Sequence, residues 1–327
     1  MQISSIIRIT LTTGCLASLG LYAASLPAQQ APSRPPAAAP SSGGTAMTAE
    51  KAVALAEQGH CKEALPALRH IVSSPGSLEG RRTAGIAGLR CTMAIDNIDA
   101  TLDFARLLNH DFSNDPEILF VLVHTYSDLS GRVAQDLAQK APHSVPAEKL
   151  NAEALEMQGK WDEAQTQYQD MLTKNPNEPG IHYLIGRLLL SKPQGDDAAI
   201  QQAKQEFEKE LQIDPKNAGA EYILGEMAKQ AGQCEEAVPH FTRATKLDPT
   251  FGDAYLSLGL CLVALKQWEA SLSPLQAATR LEEGNPAAHY NLALAYSRLG
   301  RRDEAEKEFA IHHKMTDKPA PNPGSAQ

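Results

Sequence analysis

The sequence predicts an all-α protein, an α-solenoid of about eight stacked helix-turn-helix units, and three observations carry that expectation. The phrase "GKWDEAQTQYQDMLTKNPNEPG" at 159–180 returns as "GQCEEAVPHFTRATKLDPTFGD" at 232–253, with "QQAKQEFEKELQIDPKNAGA" between them at 201–220 and a fainter copy, "KQWEASLSPLQAATRLEEGN", at 266–285. The chain is 43% apolar but only 5% aromatic, and is rich in Ala, Leu, Glu and Gln, whose side chains lose little rotamer freedom in a helix. β-branched residues never gather into alternating runs, so strands are not expected. A two-helix unit cannot bury its own apolar face, and a chain that repeats one must stack the copies.

Taken in order, the chain opens on "MQISSIIRITLTTGCLASLGLYAASLPAQQ". Arg8 closes a short n-region, Ile9–Ala24 is an uncharged and mostly apolar run, and small residues follow. This pattern predicts a signal peptide over 1–28, cut after Ala28 or near Ala24. An uncleaved anchor facing out of the cytoplasm is the alternative. Cys15 after "LTTG" faintly resembles a lipoprotein box, with Thr12 where an aliphatic residue belongs. Nothing later reaches the roughly 18 apolar residues that a membrane span needs, so no span is expected after processing. Export to the periplasm or cell envelope follows from the N-terminus and the cysteines together. Residues 29–46 are Pro-, Ala- and Ser-rich and read as a disordered linker, and 318–327 as a disordered tail.

The repeats occupy 47–317. Clear units run 145–178, 179–217, 218–251, 252–285 and 286–317, with starts spaced by 34, 39, 34 and 34 residues. The long interval contains "SKPQGDD" at 191–197, a surface insertion between two helices. Weaker units begin near Thr45, Arg81 and Asp115, the last with a shortened second helix. In the final unit Tyr290, Leu294 and Ser297 share one helix face, and His289, Leu292, Ala293 and Tyr296 another. Gly300 ends that helix as an αL residue should, and acidic residues open the next one at its positive end. The pairs Asp162–Glu163, Glu235–Glu236 and Asp303–Glu304 are read as such dipole partners.

With Leu258–Gly259, Leu292–Ala293–Tyr296, Ala164–Tyr168, Ala203–Phe207, Ala237–Phe241–Ala244 and Ala305–Phe309, and with closing prolines Pro176, Pro215 and Pro249, the chain resembles tetratricopeptide repeat (TPR) proteins. It departs from their pattern at Ser271, Leu275 and Glu283. The resemblance implies a right-handed superhelix whose first helices line a concave groove. It implies inward-facing sites at Tyr183, Tyr222, Leu256 and Tyr290, continued at helical spacing by Arg187, Glu226, Lys229, Leu260, Val263 and Leu294. The groove would be of mixed charge near 183–229 and apolar from 256 to 294.

Cys61 and Cys234 stand two residues after the turn glycines Gly59 and Gly232, in the register that Trp161 and Trp268 fill elsewhere. Stacking places the start of one second helix beside the next first helix, so bridges Cys61–Cys91 and Cys234–Cys261 are expected, with four buried free thiols as the alternative. Little else speaks of chemistry. There is no Gly-rich phosphate loop, no G-x-S-x-G, no H-E-x-x-H and no C-x-x-C. His312–His313 diverge on a helix, and His60, Cys61, His70 and Cys91 match no common zinc spacing. No catalytic residue, metal or cofactor is therefore expected. A net charge of −9 without a Lys/Arg stripe argues against nucleic acid. The expected function is a non-catalytic scaffold binding a protein or peptide in the groove; the alternative is an assembly or envelope-complex subunit that uses its convex surface and helix ends. Whether the chain oligomerises stays open.

Overall fold

Fifteen helices and no strand make up the residues described by the computed structural model, 47–193 and 197–317. They fall into two units that divide at Ala147/Glu148. The signal peptide, the linker and the tail expected from the sequence lie outside the described residues.

The N-terminal unit contains α1 (Ala49–Glu57), α2 (Cys61–Ser73), α3 (Leu78–Ala94), α4 (Ile98–Asp111) and α5 (Pro116–Lys140). α1–α2 and α3–α4 are hairpins around a core that includes Leu68, Leu89, Phe104, Leu108 and Ile118. The third unit departs from expectation: instead of a short second helix there is one unbroken helix of 25 residues, α5. The helix continues through Gly131, and Arg132 beside it donates to Asp128 one turn back at 3.0 Å and to Asp96.

The second unit is a series of hairpins. These are α6 (Val145–Met157) with α7 (Trp161–Lys174), α8 (Ile181–Ser191) with α9 (Asp197–Ile213), and α10 (Ala218–Gln230) with α11 (Cys234–Leu247). Two more follow, α12 (Gly252–Ala264) with α13 (Trp268–Leu281), and α14 (Pro286–Arg298) with α15 (Arg302–Thr316). Side-chain caps start several first helices. Asn217 accepts from the Ala220 amide and Asn285 from that of Ala287, each satisfying a donor the helix cannot.

In six of the hairpins, α1–α2, α3–α4, α6–α7, α10–α11, α12–α13 and α14–α15, the chain turns through one αL residue. Gly59, Gly159, Gly232 and Gly300 hold φ between 72° and 82°, where a Cβ would be strained. Asp96 and Lys266 take the same conformation without being glycine, at φ 57° and 60°. Asp tolerates it better than Lys does. Lys266→Gly is therefore expected to raise the unfolding free energy by about 0.5 kcal/mol, the relieved strain exceeding the added chain entropy. Urea titration of the variant beside the wild type measures it.

The small residue in mid-first-helix has a clear cause. A Cβ on Gly186 would sit 2.8 Å from the Phe207 ring, one on Gly225 2.7 Å from Phe241, and one on Gly259 2.5 Å from Leu275. Each large residue belongs to the second helix of the same hairpin and is fully buried. The two helices close by inserting that side chain where the first helix has none. Burial of a Phe or Leu this way is worth about 1.5–3 kcal/mol, against the roughly 1 kcal/mol that a mid-helix glycine costs.

Candidate functional site

The residues expected to line a groove all lie on first helices of the second unit, and adjacent first helices meet through them. On α8, Tyr183 lays its ring against Gly219 of α10 and edge-on to Phe207, centroids 5.7 Å apart. Tyr222 of α10 sits between Phe241, at 5.9 Å, and Phe251, at 4.7 Å. Burial pushes its phenol well above the ordinary value, with the Glu226 and Asp253 carboxylates adding to the effect.

The charged members are paired. Arg187 donates to both carboxylate oxygens of Glu156 on α6, each at 3.1 Å, and the same Glu156 accepts from the Tyr168 hydroxyl at 2.7 Å. Burial works against the Arg187 charge, and Glu156 more than offsets it, so the guanidinium is held above its ordinary value. Lys229 pairs with Glu226 at 2.6 Å and also donates to Ser257 Oγ of α12 at 3.1 Å. The Ser257 hydroxyl in turn donates to Glu226 at 2.5 Å. The ions of this face are thus bonds within and between repeats. The face presents neutralised charge.

The apolar stretch is more open. Leu256, Leu260, Val263 and Leu294 are half-buried; Leu256 and Val263 rest on a cluster of Leu272, Leu275, Leu292, Ala295, Tyr296 and Ala305. Tyr290 is 44% exposed, backed by Phe309 at 5.9 Å and His312 at 5.3 Å. Opposite faces of α14 behave as the periodicity requires: His289, Leu292, Ala293 and Tyr296 are buried, while Ser297 is exposed.

Polar bridges inside the hairpins were not foreseen. His182–Glu206, Glu221–His240 and His289–Glu308 join the first helix to its second helix at 2.5, 2.6 and 2.6 Å. The first-helix member always stands four residues before the small position, and the second-helix member directly before the aromatic. That fixed offset was the signal available in sequence. These histidines hold hairpins closed.

Cys61 and Cys91 are bridged with Cα atoms 5.1 Å apart, and Cys234 and Cys261 likewise with 5.1 Å, within the usual span of about 4.4–6.8 Å. Each bridge ties the first residue of a second helix to the next first helix. Trp268, in the same register, lies under the guanidinium of Arg298 on α14, 5.8 Å from its ring centre. Of the other residues weighed for zinc, His70 is hydrogen-bonded to Ser74 at 3.5 Å. Among the described residues no three His, Cys, Asp or Glu side chains are placed to hold a metal. No helix among them is long and apolar enough to cross a membrane. The paired acids do more than face a helix dipole: Asp162 meets Lys192 at 2.9 Å and Glu236 meets Lys204 at 3.2 Å, each from the neighbouring hairpin.

Tetratricopeptide repeat models match residues 150–218, 222–286 and 286–308. Together with the small-to-large closure at Gly186–Phe207, Gly225–Phe241 and Gly259–Leu275, this establishes that the chain carries TPR repeats over those residues. A stretch of 78 residues is 35% identical to the protein CTR9 homolog of Arabidopsis thaliana, covering 24% of this chain and 7% of that protein. Among solved structures, a crystal structure of MamA is 24% identical with a TM-score of 0.44, covering 51% of this chain and 95% of that one. The MamA fragment from residue 41 to the end, from Desulfovibrio magneticus RS-1, is 20% identical with a TM-score of 0.45, covering 54% and 97%. YrrB, described as a TPR protein with an unusual peptide-binding site, is 21% identical with a TM-score of 0.46, covering 57% and 93%.

Proposed function

We propose that the chain is a non-catalytic scaffold, acting outside the cytoplasm, that binds a partner protein or peptide along the first-helix face from Tyr183 to Leu294. One observation carries the reading: the face keeps its charges satisfied internally and leaves its apolar end open, with Tyr290 44% exposed and Leu256, Leu260, Val263 and Leu294 only half-buried. Apolar surface on a first-helix face suits the apolar side of an amphipathic helix or an extended apolar segment. Export draws its support from Arg8, the apolar run after it, and the cysteine pairs.

Selection of displayed linear peptides against the purified protein tests the binding. Wild type enriches peptides with an apolar stripe, and Leu260→Asp is expected to weaken the selected peptides by about 2 kcal/mol, roughly thirtyfold, with unchanged helical circular dichroism. Unaltered binding by a folded Leu260→Asp, Tyr290→Ala double variant places the partner elsewhere. N-terminal sequencing of the native protein tests export separately: a chain starting near Gln29 supports it, and an intact Met1 in the cytoplasmic fraction refutes it.

A further inference from the structure

α5 carries an apolar stripe that nothing in its own unit covers. Its buried side is Ile118, Leu122, Thr125 and Leu129. A second stripe, Leu119, Val123, Tyr126, Ser130, Val133 and Leu137, advances by alternating steps of four and three residues. Leu119 is 41% exposed, Val123 65%, Tyr126 46% and Val133 58%, and Phe120 flanks them at 64%. That spacing is the 3.5-residue repeat by which one helix packs along another, and the stripe runs for about 27 Å.

We propose that α5 pairs antiparallel with α5 of a second copy of this chain, across a two-fold axis centred at residue 128. The sequence of the stripe is what selects this occupant. Turned end for end about 128, it maps onto itself: Leu119 meets Leu137, Val123 meets Val133, and Tyr126 meets Ser130. Two of these layers match like with like, and the third sets the largest side chain against the smallest. No charged residue lies on the stripe, so self-pairing brings no like charges together. At the ends the charges are complementary. Asp115 and Glu117, which share the single Arg82, open α5, and Lys140, paired with Asp136 one turn back at 2.5 Å, closes it, so the antiparallel arrangement sets Lys140 of one copy beside Glu117 of the other. The helix dipoles also oppose. A two-fold interface of this kind is closed and stops at the dimer.

Sedimentation equilibrium of the native protein, with variants at these exposed positions checked for helical content, tests the pairing. Wild type is expected to dimerise, and Val123→Glu, Tyr126→Glu and Val133→Lys each to weaken the dimer by about thirtyfold or more. Mixing Val123→Glu with Val133→Lys is expected to restore a mixed dimer, because the antiparallel register sets Glu against Lys in one layer and leaves Val against Val in the other. A monomeric wild type overturns the proposal, as does a monomer that takes up a foreign amphipathic helix on this stripe. A dimer indifferent to all three substitutions shows that copies meet elsewhere, and a mixture that stays monomeric overturns the antiparallel register.

Discussion

Phe241→Ala is expected to lower the unfolding free energy by about 4 kcal/mol, near the upper part of the range for a fully buried aromatic. Phe241 has no exposed surface. It is enclosed by Ala228, Ala237, Leu258, Cys261 and Leu262, with Tyr222 tilted against its ring and Lys229 Nζ 5.8 Å from the ring centre. The cavity cannot be refilled from the first helix, because the residue facing the ring is Gly225. That sets up a sign reversal. Gly225→Ala alone destabilises, since its Cβ would lie 2.7 Å from the ring, a contact that core overpacking makes costly by about 1–3 kcal/mol. In the Phe241→Ala background the same methyl enters vacated space and improves helix propensity by about 1 kcal/mol. A double-mutant cycle by urea denaturation measures the coupling. Simple additivity of the two single effects would show that the ring does not define the glycine.

This closure was legible in the sequence because both partners recur at fixed positions. The glycines at 186, 225 and 259 and the large residues at 207, 241 and 275 needed no knowledge of distant contacts. The third repeat was less legible. A unit with a shortened second helix was expected from Asp115, and residues 116–140 instead form one helix, whose Arg132 reaches Asp96, 36 residues back. The charged residues of the first-helix face were legible as a set, and Glu226 with Lys229, three apart on one helix, as a pair. The bonds from Arg187 to Glu156 and from Lys229 to Ser257 were not, because those partners lie 31 and 28 residues away, one repeat off, where periodicity assigns a face but no bond. The apolar end needs only a face to be read, and its Leu256, Leu260, Val263 and Leu294 are half-buried. The α5 stripe is present in the sequence as a four-three spacing, but a unit of two helices splits it between them.

Replacing Cys234 and Cys261 together by alanine is expected to cost about 3.5 kcal/mol, and replacing Cys61 and Cys91 about the same, in the chain-entropy model for closed loops of 27 and 30 residues. Alanine isolates the cross-link, because serine would add a buried hydroxyl beside Cys91 and Cys261 positions that are 2% and 0% exposed. Both bridges join one hairpin to the next, the junction on which a stack of repeats depends. Elsewhere that junction is filled by packing, as where Trp268 lies under Arg298, so loss of a bridge weakens one boundary and leaves each hairpin its own buried core. The two losses should add within about 0.5 kcal/mol, since the bridges close separate stretches of chain and share no partner. Amide exchange should then show faster opening confined to α2–α3 in one variant and α11–α12 in the other, with the remaining helices protected as before. Equal exchange across all helices in either variant would mean that the repeats unfold as one body and that the bridges act on the whole chain rather than on a boundary.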